Sequence, residues 1–253
     1  MPFKRRFRAF GVHALFSVAV SAVAALLVFY WWFPGVYRDM CGGWQLFLLL
    51  TSVDVVAGPV LTFIAMSEGK SRRHLMLDLS AIVLLQLMAL AYGIYAVSMA
   101  RPVVLAAENG LFRIVTARDL KSDELSQAPE AFRELSWRGP VTVGVRASRN
   151  ADEMAKSIDW ALRGYDAGTR PSYWQAYSAD RARVLAQSLP LAEIASKSAW
   201  HKAAVELAVG ELGVTADGLR ATPVVSRQTG WYVLLDAQSA EVKGFARLDE
   251  DVK

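Results

Sequence analysis

The sequence predicts a membrane protein: three N-terminal transmembrane α-helices followed by an α+β extracytoplasmic domain. Three observations lead there. Apolar runs occupy residues 10–33, 44–66 and 75–99, and each is long enough to cross a hydrocarbon core of about 30 Å. The chain is 54% hydrophobic and 21% charged, with mean hydropathy +0.25, which is too apolar for an ordinary soluble domain. Beyond residue 100 the character changes, and strand-like and helix-like segments mix without regular βαβ alternation. The expected divisions are a basic cytoplasmic N-terminus at 1–9, a three-helix transmembrane region at 10–100 and a periplasmic domain at 101–253.

The charge distribution sets the expected topology. Residues 1–100 carry eight Lys/Arg against four Asp/Glu, giving +4, while residues 101–253 carry twenty of each, giving zero. The basic excess therefore belongs to the membrane flanks and argues against a nucleic-acid partner, despite a pI near 9.2. Lys4, Arg5, Arg6 and Arg8 precede the first run, and Lys70, Arg72 and Arg73 separate the second from the third. By the positive-inside rule both segments are cytoplasmic. The aromatic-rich connection from Phe29 to Trp44 then lies on the opposite face, and three crossings place residues 101–253 outside. A cleavable signal peptide ending near Ala22-Val23-Ala24 is the competing reading of the N-terminus and leaves this topology unchanged. Cys41 is the sole cysteine, so no intramolecular disulfide is available.

In the second run, Thr51 to Phe63 holds Asp54 and the pair Gly58-Pro59 inside apolar sequence. A carboxylate at mid-membrane costs about 2.5 to 3.5 kcal/mol even on the lenient insertion scale, so it is paired, protonated or turned towards protein. Counting depth from the ends of the apolar runs puts Ser21, Asp54 and Gln86 in one polar layer, and His13 with Asp78 in a second, cytoplasmic-side cluster where Arg72 and Arg73 offer further partners. Pro59 removes the amide hydrogen that would reach the carbonyl of Val55, and a kink beside Asp54 is expected. Gly58 lies on the same face four residues on and permits close helix approach. A structural polar clamp, a face that docks another membrane helix, and a proton or ion path all fit these residues, the last least well.

Outside the membrane, residues 103–107 and 111–117 read as a β-hairpin around Asn109-Gly110. Residues 119–135 read as a short helix and loop, and 140–147 as a strand. Asn150 with Glu153 marks a helix start, and Met154, Ile158, Ala161 and Leu162 recur at helical spacing until Gly164. The aromatic segment 165–177 either covers the core or forms a contact surface. Helices at 178–189 and 198–212 precede three strands at 221–227, 230–236 and 241–248, an antiparallel meander. Three scattered histidines, no P-loop, no G-x-S-x-G and no C-x-x-C leave no recognisable catalytic, metal or cofactor motif, and no enzyme, cofactor or small-molecule substrate is expected.

Taken together, Tyr30-Trp31-Trp32-Phe33-Pro34, Val53-Asp54-Val55-Val56-Ala57-Gly58-Pro59, Leu77-Asp78-Leu79, Leu84-Leu85-Gln86, Ala91-Tyr92-Gly93-Ile94-Tyr95 and Arg101-Pro102-Val103 resemble the TfpX/TfpZ family of type IV pilin accessory proteins. The likeness covers about the first 105 residues well and the remainder only in layout. It implies a protein of the bacterial inner membrane that helps a cognate type IV pilin assemble into pili, without known catalysis, its partners being the pilin, other assembly proteins and the bilayer. A membrane-anchored sensor or a transporter subunit are the alternatives from other classes.

Overall fold

The computed structural model describes residues 2–67 and 69–249, which form two compact units: residues up to 38 with 42–100, and residues 39–41 with those from 101 onwards. In the first unit, α1 (Pro2–Leu26) runs on through a π-helical turn at Leu27–Trp32, closed where Phe33 N–H donates to Val28 O at 2.8 Å. A short α2 (Tyr37–Met40) leads to Gly42, whose positive φ starts α3 (Gly43–Ser52). A second π-helical turn, Val53–Ala57, joins α3 to α4 (Gly58–Ala65), and α5 (Arg72–Met99) follows, capped by the Ser71 hydroxyl accepting from His74 N–H. Three continuous helical segments, Phe3–Trp32, Gly43–Ala65 and Arg72–Met99, are long and apolar enough to cross a membrane. The first starts well before the apolar run at residue 10, because the basic residues Lys4 to Arg8 are themselves helical.

Side-chain packing explains the bundle. α4 lies against both α1 and α5. Phe3, Phe7 and Phe63 meet edge to face at 5.0 to 5.9 Å at one end, and Phe29, Trp44 and Phe47 cluster at the other. Arg6 Nε donates to Met66 O at 2.8 Å, which brings the basic start of α1 beside the end of α4. α5 approaches α3 closely at Gly93, where a Cβ would fall 2.0 Å from Leu50 Cδ1. The outer surface is apolar: Leu15, Val23, Leu26, Leu49, Ile64 and Met76 are each more than 60% exposed. Contiguous apolar surface of this kind is foreign to soluble monomers.

The second unit is built on an eight-stranded mixed sheet. β1 (Pro102–Ala107) and β2 (Phe112–Thr116) form the expected hairpin, with Gly110 at positive φ in its turn. β3 (Val141–Val145) runs parallel to β1, and β4 (Trp174–Ala176) pairs antiparallel with β3. β6 (Leu219–Val225), β7 (Trp231–Asp236) and β8 (Val242–Arg247) are the C-terminal meander, joined to the hairpin by parallel pairing of β2 with β6. The strand order is β4-β3-β1-β2-β6-β7-β8, with β5 (Leu189–Pro190) pairing β6 off that path. β1 is central and fully buried, as its unbroken apolar sequence requires.

Helices complete two cores. α6 (Ala151–Leu162) is capped by Asn150 Oδ1 accepting from Glu153 N–H at 2.8 Å, and α7 (Arg181–Gln187) is shorter than the pattern 178–189 implies. α8 (Leu191–Ala195) and α9 (Ala199–Leu212) cover the meander through Leu191, Ile194, Val205 and Leu234. The aromatic segment 165–177 belongs to the other core: Tyr173 and Trp174 are buried among Val103, Val143 and Val145, and Trp174 Nε1 donates to Gly168 O at 2.8 Å. Residues 119–135 form 3₁₀ turns instead of an α-helix. On α6 the recurring apolar residues Met154, Ile158 and Leu162 point outward and are exposed, so their helical spacing reports the helix and not a buried face.

Residues 39–41 are part of this second unit, where Gln228 N–H donates to Met40 O at 2.9 Å. Cys41 is buried, and desolvation, followed by the charge of Asp119, pushes its thiol up to about 12. Only the thiolate reacts, so a shift from 9.0 to about 12 cuts its abundance at neutral pH roughly a thousandfold. Alkylation by iodoacetamide at pH 7.5 should therefore be negligible in folded protein and complete after denaturation, as mass spectrometry would show.

Candidate functional site

The site is centred on the π-helical turn before Pro59. In that turn Gly58 N–H donates to Val53 O instead of to Asp54 O, which an α-helical bond would use. The next donor in the π register for Asp54 O would be residue 59, and proline has no amide hydrogen. The carbonyl of Asp54 is thus left without a helical partner, and Gln86 Nε2, reaching across from α5, donates to it at 3.4 Å. Gly58 makes room for that side chain: a Cβ there would sit 1.9 Å from Gln86 Nε2 and 3.0 Å from His13 Nε2. Glycine here is a requirement of close approach, not of backbone conformation.

The Asp54 side chain is buried at 7% exposure, and its Oδ1 has no hydrogen-bond partner among the described residues. It lines a cavity of about 160 Å³ together with His13, Ser17, Gln86 and apolar residues that include Phe16, Val83 and Leu87. Phe16, Val83 and Leu87 are exposed at its rim, so the cavity opens on the outside of the bundle between α1 and α5. A wider recess of about 590 Å³ shares His13, Phe16 and Val83 with it and extends past Val12 to Arg5, Arg8 and Met66. The two form one groove between α1 and α5, running from Asp54 before α4 to Met66 after it, apolar on its walls, polar at its floor and basic at one end.

The structure brings some of the expected residues together and separates others. Asp54, Gly58, Pro59 and Gln86 are adjacent. Ser21 is half-buried and does not line the cavity; Ser17, one turn earlier, takes that place. His13 joins this layer, its Nδ1 sharing a hydrogen bond with Thr62 Oγ1 at 2.6 Å, and is not beside Asp78. Asp78 is ion-paired with Lys70 at 2.5 Å, while Arg72 and Arg73 are exposed. The displacement has a physical origin. Depth counted from residue 10 ignores the helical turns before it, and the π-helical turn adds a residue to the second helix. His13 stands ten residues into the segment Phe3–Trp32, a third of the way along it, and the basic residues with their helix-forming propensity were the signal for that earlier start.

The groove offers hydrogen-bonding capacity in an apolar wall and little else. Among the described residues no group of three His, Cys, Asp or Glu is placed to hold a metal ion. Its chemistry suits association with another apolar helix, where a polar contact contributes about 0.6 to 1.7 kcal/mol.

Comparison with known proteins places the chain. The fimbrial assembly protein FimB family matches over residues 2–42, which span α1 and the connection after it. The fimbrial assembly protein of serogroup E1 from Dichelobacter nodosus is 35% identical over 228 residues, covering 89% of each chain. The chain belongs to this family of fimbrial assembly proteins. The serogroup I protein of the same organism is 34% identical over the same extent, and that of serogroups C1 and C2 is 40% identical over 118 residues, 47% of this chain and 90% of the relative. No solved structure matches. Family membership agrees with the pilus-assembly class that the sequence resemblance implies, under the name of fimbrial assembly.

In this fimbrial assembly family member, Gln86 and Gly58 should act as one unit. Gly58→Ala is expected to displace the Gln86 amide from the Asp54 carbonyl and to cost about 1 kcal/mol, as is Gln86→Ala. A double-mutant cycle on thermal unfolding in detergent should show strong non-additivity, Gln86→Ala adding little once Gly58 carries a methyl group.

Proposed function

We propose that this protein is an accessory factor of the bacterial inner membrane, of the TfpX/TfpZ kind, that assists assembly of a cognate type IV pilin without catalysing a reaction. Its N-terminus and the connection after α4 are cytoplasmic, α1, α3–α4 and α5 cross the membrane, and the second unit is periplasmic. The groove between α1 and α5 receives the membrane helix of a pilin awaiting assembly, while the second unit contacts its head.

The observation that carries this reading is an outward-opening groove in an apolar bundle, floored by a buried aspartate with one oxygen unpartnered, in a chain of the fimbrial assembly family. An aspartate so placed is expensive unless something completes its environment. The apolar outer surface of the bundle supports burial in lipid, and the collection of Lys4, Arg5, Arg6, Arg8, Lys70, Arg72 and Arg73 towards one end supports the orientation. The names of the relatives support the process.

Photocrosslinking residues introduced at Phe16, Val83 or Leu87 should yield an adduct with the pilin in cells that assemble pili, and one at Leu49 should not. Adducts confined to the second unit would remove the membrane half of the proposal. Asp54→Asn, which keeps hydrogen-bonding capacity, should retain most piliation, and Asp54→Leu should lose it. Equal loss from both would assign the role to the charge.

A further inference from the structure

A second recess lies in the sheet-containing unit and shares no residue with the groove of the first unit. It is a cleft of about 550 Å³ between α6 and the segment 170–173, and Arg146, Arg149, Lys156 and Arg170 line it with Trp160 and Tyr173. Asp152 and Glu153 are the acids on its wall and Glu124 is paired with Arg170, so four cations meet three carboxylates and the cleft carries a net +1. The unit as a whole is neutral, with twenty Lys/Arg and twenty Asp/Glu between residues 101 and 253. The positive charge is therefore local to the cleft.

Its floor is built and rigid. Arg170 is 8% exposed and forks onto the Glu124 carboxylate, Nε at 3.1 Å and Nη2 at 2.9 Å, and Ser172 Oγ donates to the same group. Arg146 forks onto Glu153 at 2.8 and 3.1 Å. The Tyr173 ring is held by both guanidinium groups, whose Cζ atoms lie 4.4 and 4.8 Å from its centroid. Two further features bear on the cleft. Arg170 Nη1 is buried with no hydrogen-bond partner among the described residues. Arg149 is exposed at the rim, and the first turn of α6, capped by Asn150, adds the positive end of a helix dipole.

We propose that this cleft binds a carboxylate-bearing segment of a partner polypeptide. Arg149 and Lys156 supply the exposed cations for a carboxylate, the guanidinium groups of Arg146 and Arg170 already being engaged by Glu153 and Glu124, and the aromatic walls accommodate the adjoining backbone. The carboxylates of Asp152 and Glu153 repel a compact dianion such as phosphate more than a singly charged carboxylate, and they accept hydrogen bonds from peptide amides, as does the side-chain carbonyl of Gln127. A neutral unit lacks the broad positive field that a lipid surface or a nucleic acid would require. This site stands independently of the groove between α1 and α5, and the crosslinking result there does not bear on it.

Calorimetric titration of the full-length protein in detergent micelles tests the proposal, with an acetylated and amidated pentapeptide that carries two glutamates among glycines, its glutamine twin and inorganic phosphate as probes. The glutamate peptide is expected to bind at least tenfold more tightly than either of the others. Arg149→Gln with Lys156→Gln, both at exposed positions, should weaken it tenfold or more without shifting thermal unfolding. Arg170→Lys, which keeps a cation for Glu124 but loses the second guanidinium nitrogen, should weaken it in the same direction. Equal affinity for the two peptides, unchanged affinity in the double variant, absence of heat with the glutamate peptide, or phosphate binding as tightly as the peptide would each overturn it.

Discussion

The first unit depends on a missing hydrogen atom. Proline at position 59 cannot donate, the helix before it widens into a π turn, and the Asp54 carbonyl loses its internal partner. In an apolar bundle such a group must be satisfied from outside its own helix, and Gln86 does this from α5. That contact requires a glycine at position 58, because any side chain would occupy the space of the Gln86 amide. Helix irregularity, polar contact and small residue are thus one device, and it fixes α4 as the helix against which α1 and α5 are both set. The groove is a by-product of the same arrangement: α1 and α5 leave Asp54, in the turn before α4, accessible from between them.

The second unit is stabilised differently. Its two cores are ordinary apolar clusters beneath a mixed sheet, but the edge near α6 is held by ion pairs with little exposure. Glu124 and Arg170 are both below a tenth exposed. A buried pair of this kind contributes little net stability compared with apolar residues of the same volume, since desolvation offsets most of the attraction. It does fix geometry, because neither member tolerates loss of the other. The arrangement holds the arginine and tyrosine faces of the cleft in set orientations, which is what a recognition surface requires and a core does not.

How much of this could be read from the chain differs between elements. The long helices, the Asn109-Gly110 hairpin, the Asn150 cap and the C-terminal meander follow from local signals, and the residues that set them lie within a few positions of one another. The parallel pairings of β1 with β3 and β2 with β6 join distant segments and leave no local mark. In the bundle, Asp54, Gly58, Pro59 and Gln86 stood out because polar, small and imino residues are rare in apolar runs. Their partners did not, since choosing Ser17 over Ser21 needs an exact helix start and knowledge that the second helix holds an extra residue. The spacing of Met154, Ile158 and Leu162 identifies a helix correctly, yet periodicity cannot tell a face turned to the core from one turned outward.

The boundary at residue 100 divides both composition and structure, but it is not the only crossing between the two units. Asp39, Met40 and Cys41 are translated long before the sheet exists and are nevertheless part of its unit, with Gln228 closing a loop of about three quarters of the chain onto Met40. A fragment cut at Arg101 would lack that tripeptide, leaving the Gln228 amide without its acceptor. The second unit is therefore a discontinuous domain. Its synthesis is complete only when an early loop meets the last strands to emerge, so the entropy of that closure falls late in folding and the connection between the first two helices acts as a tether on the finished fold.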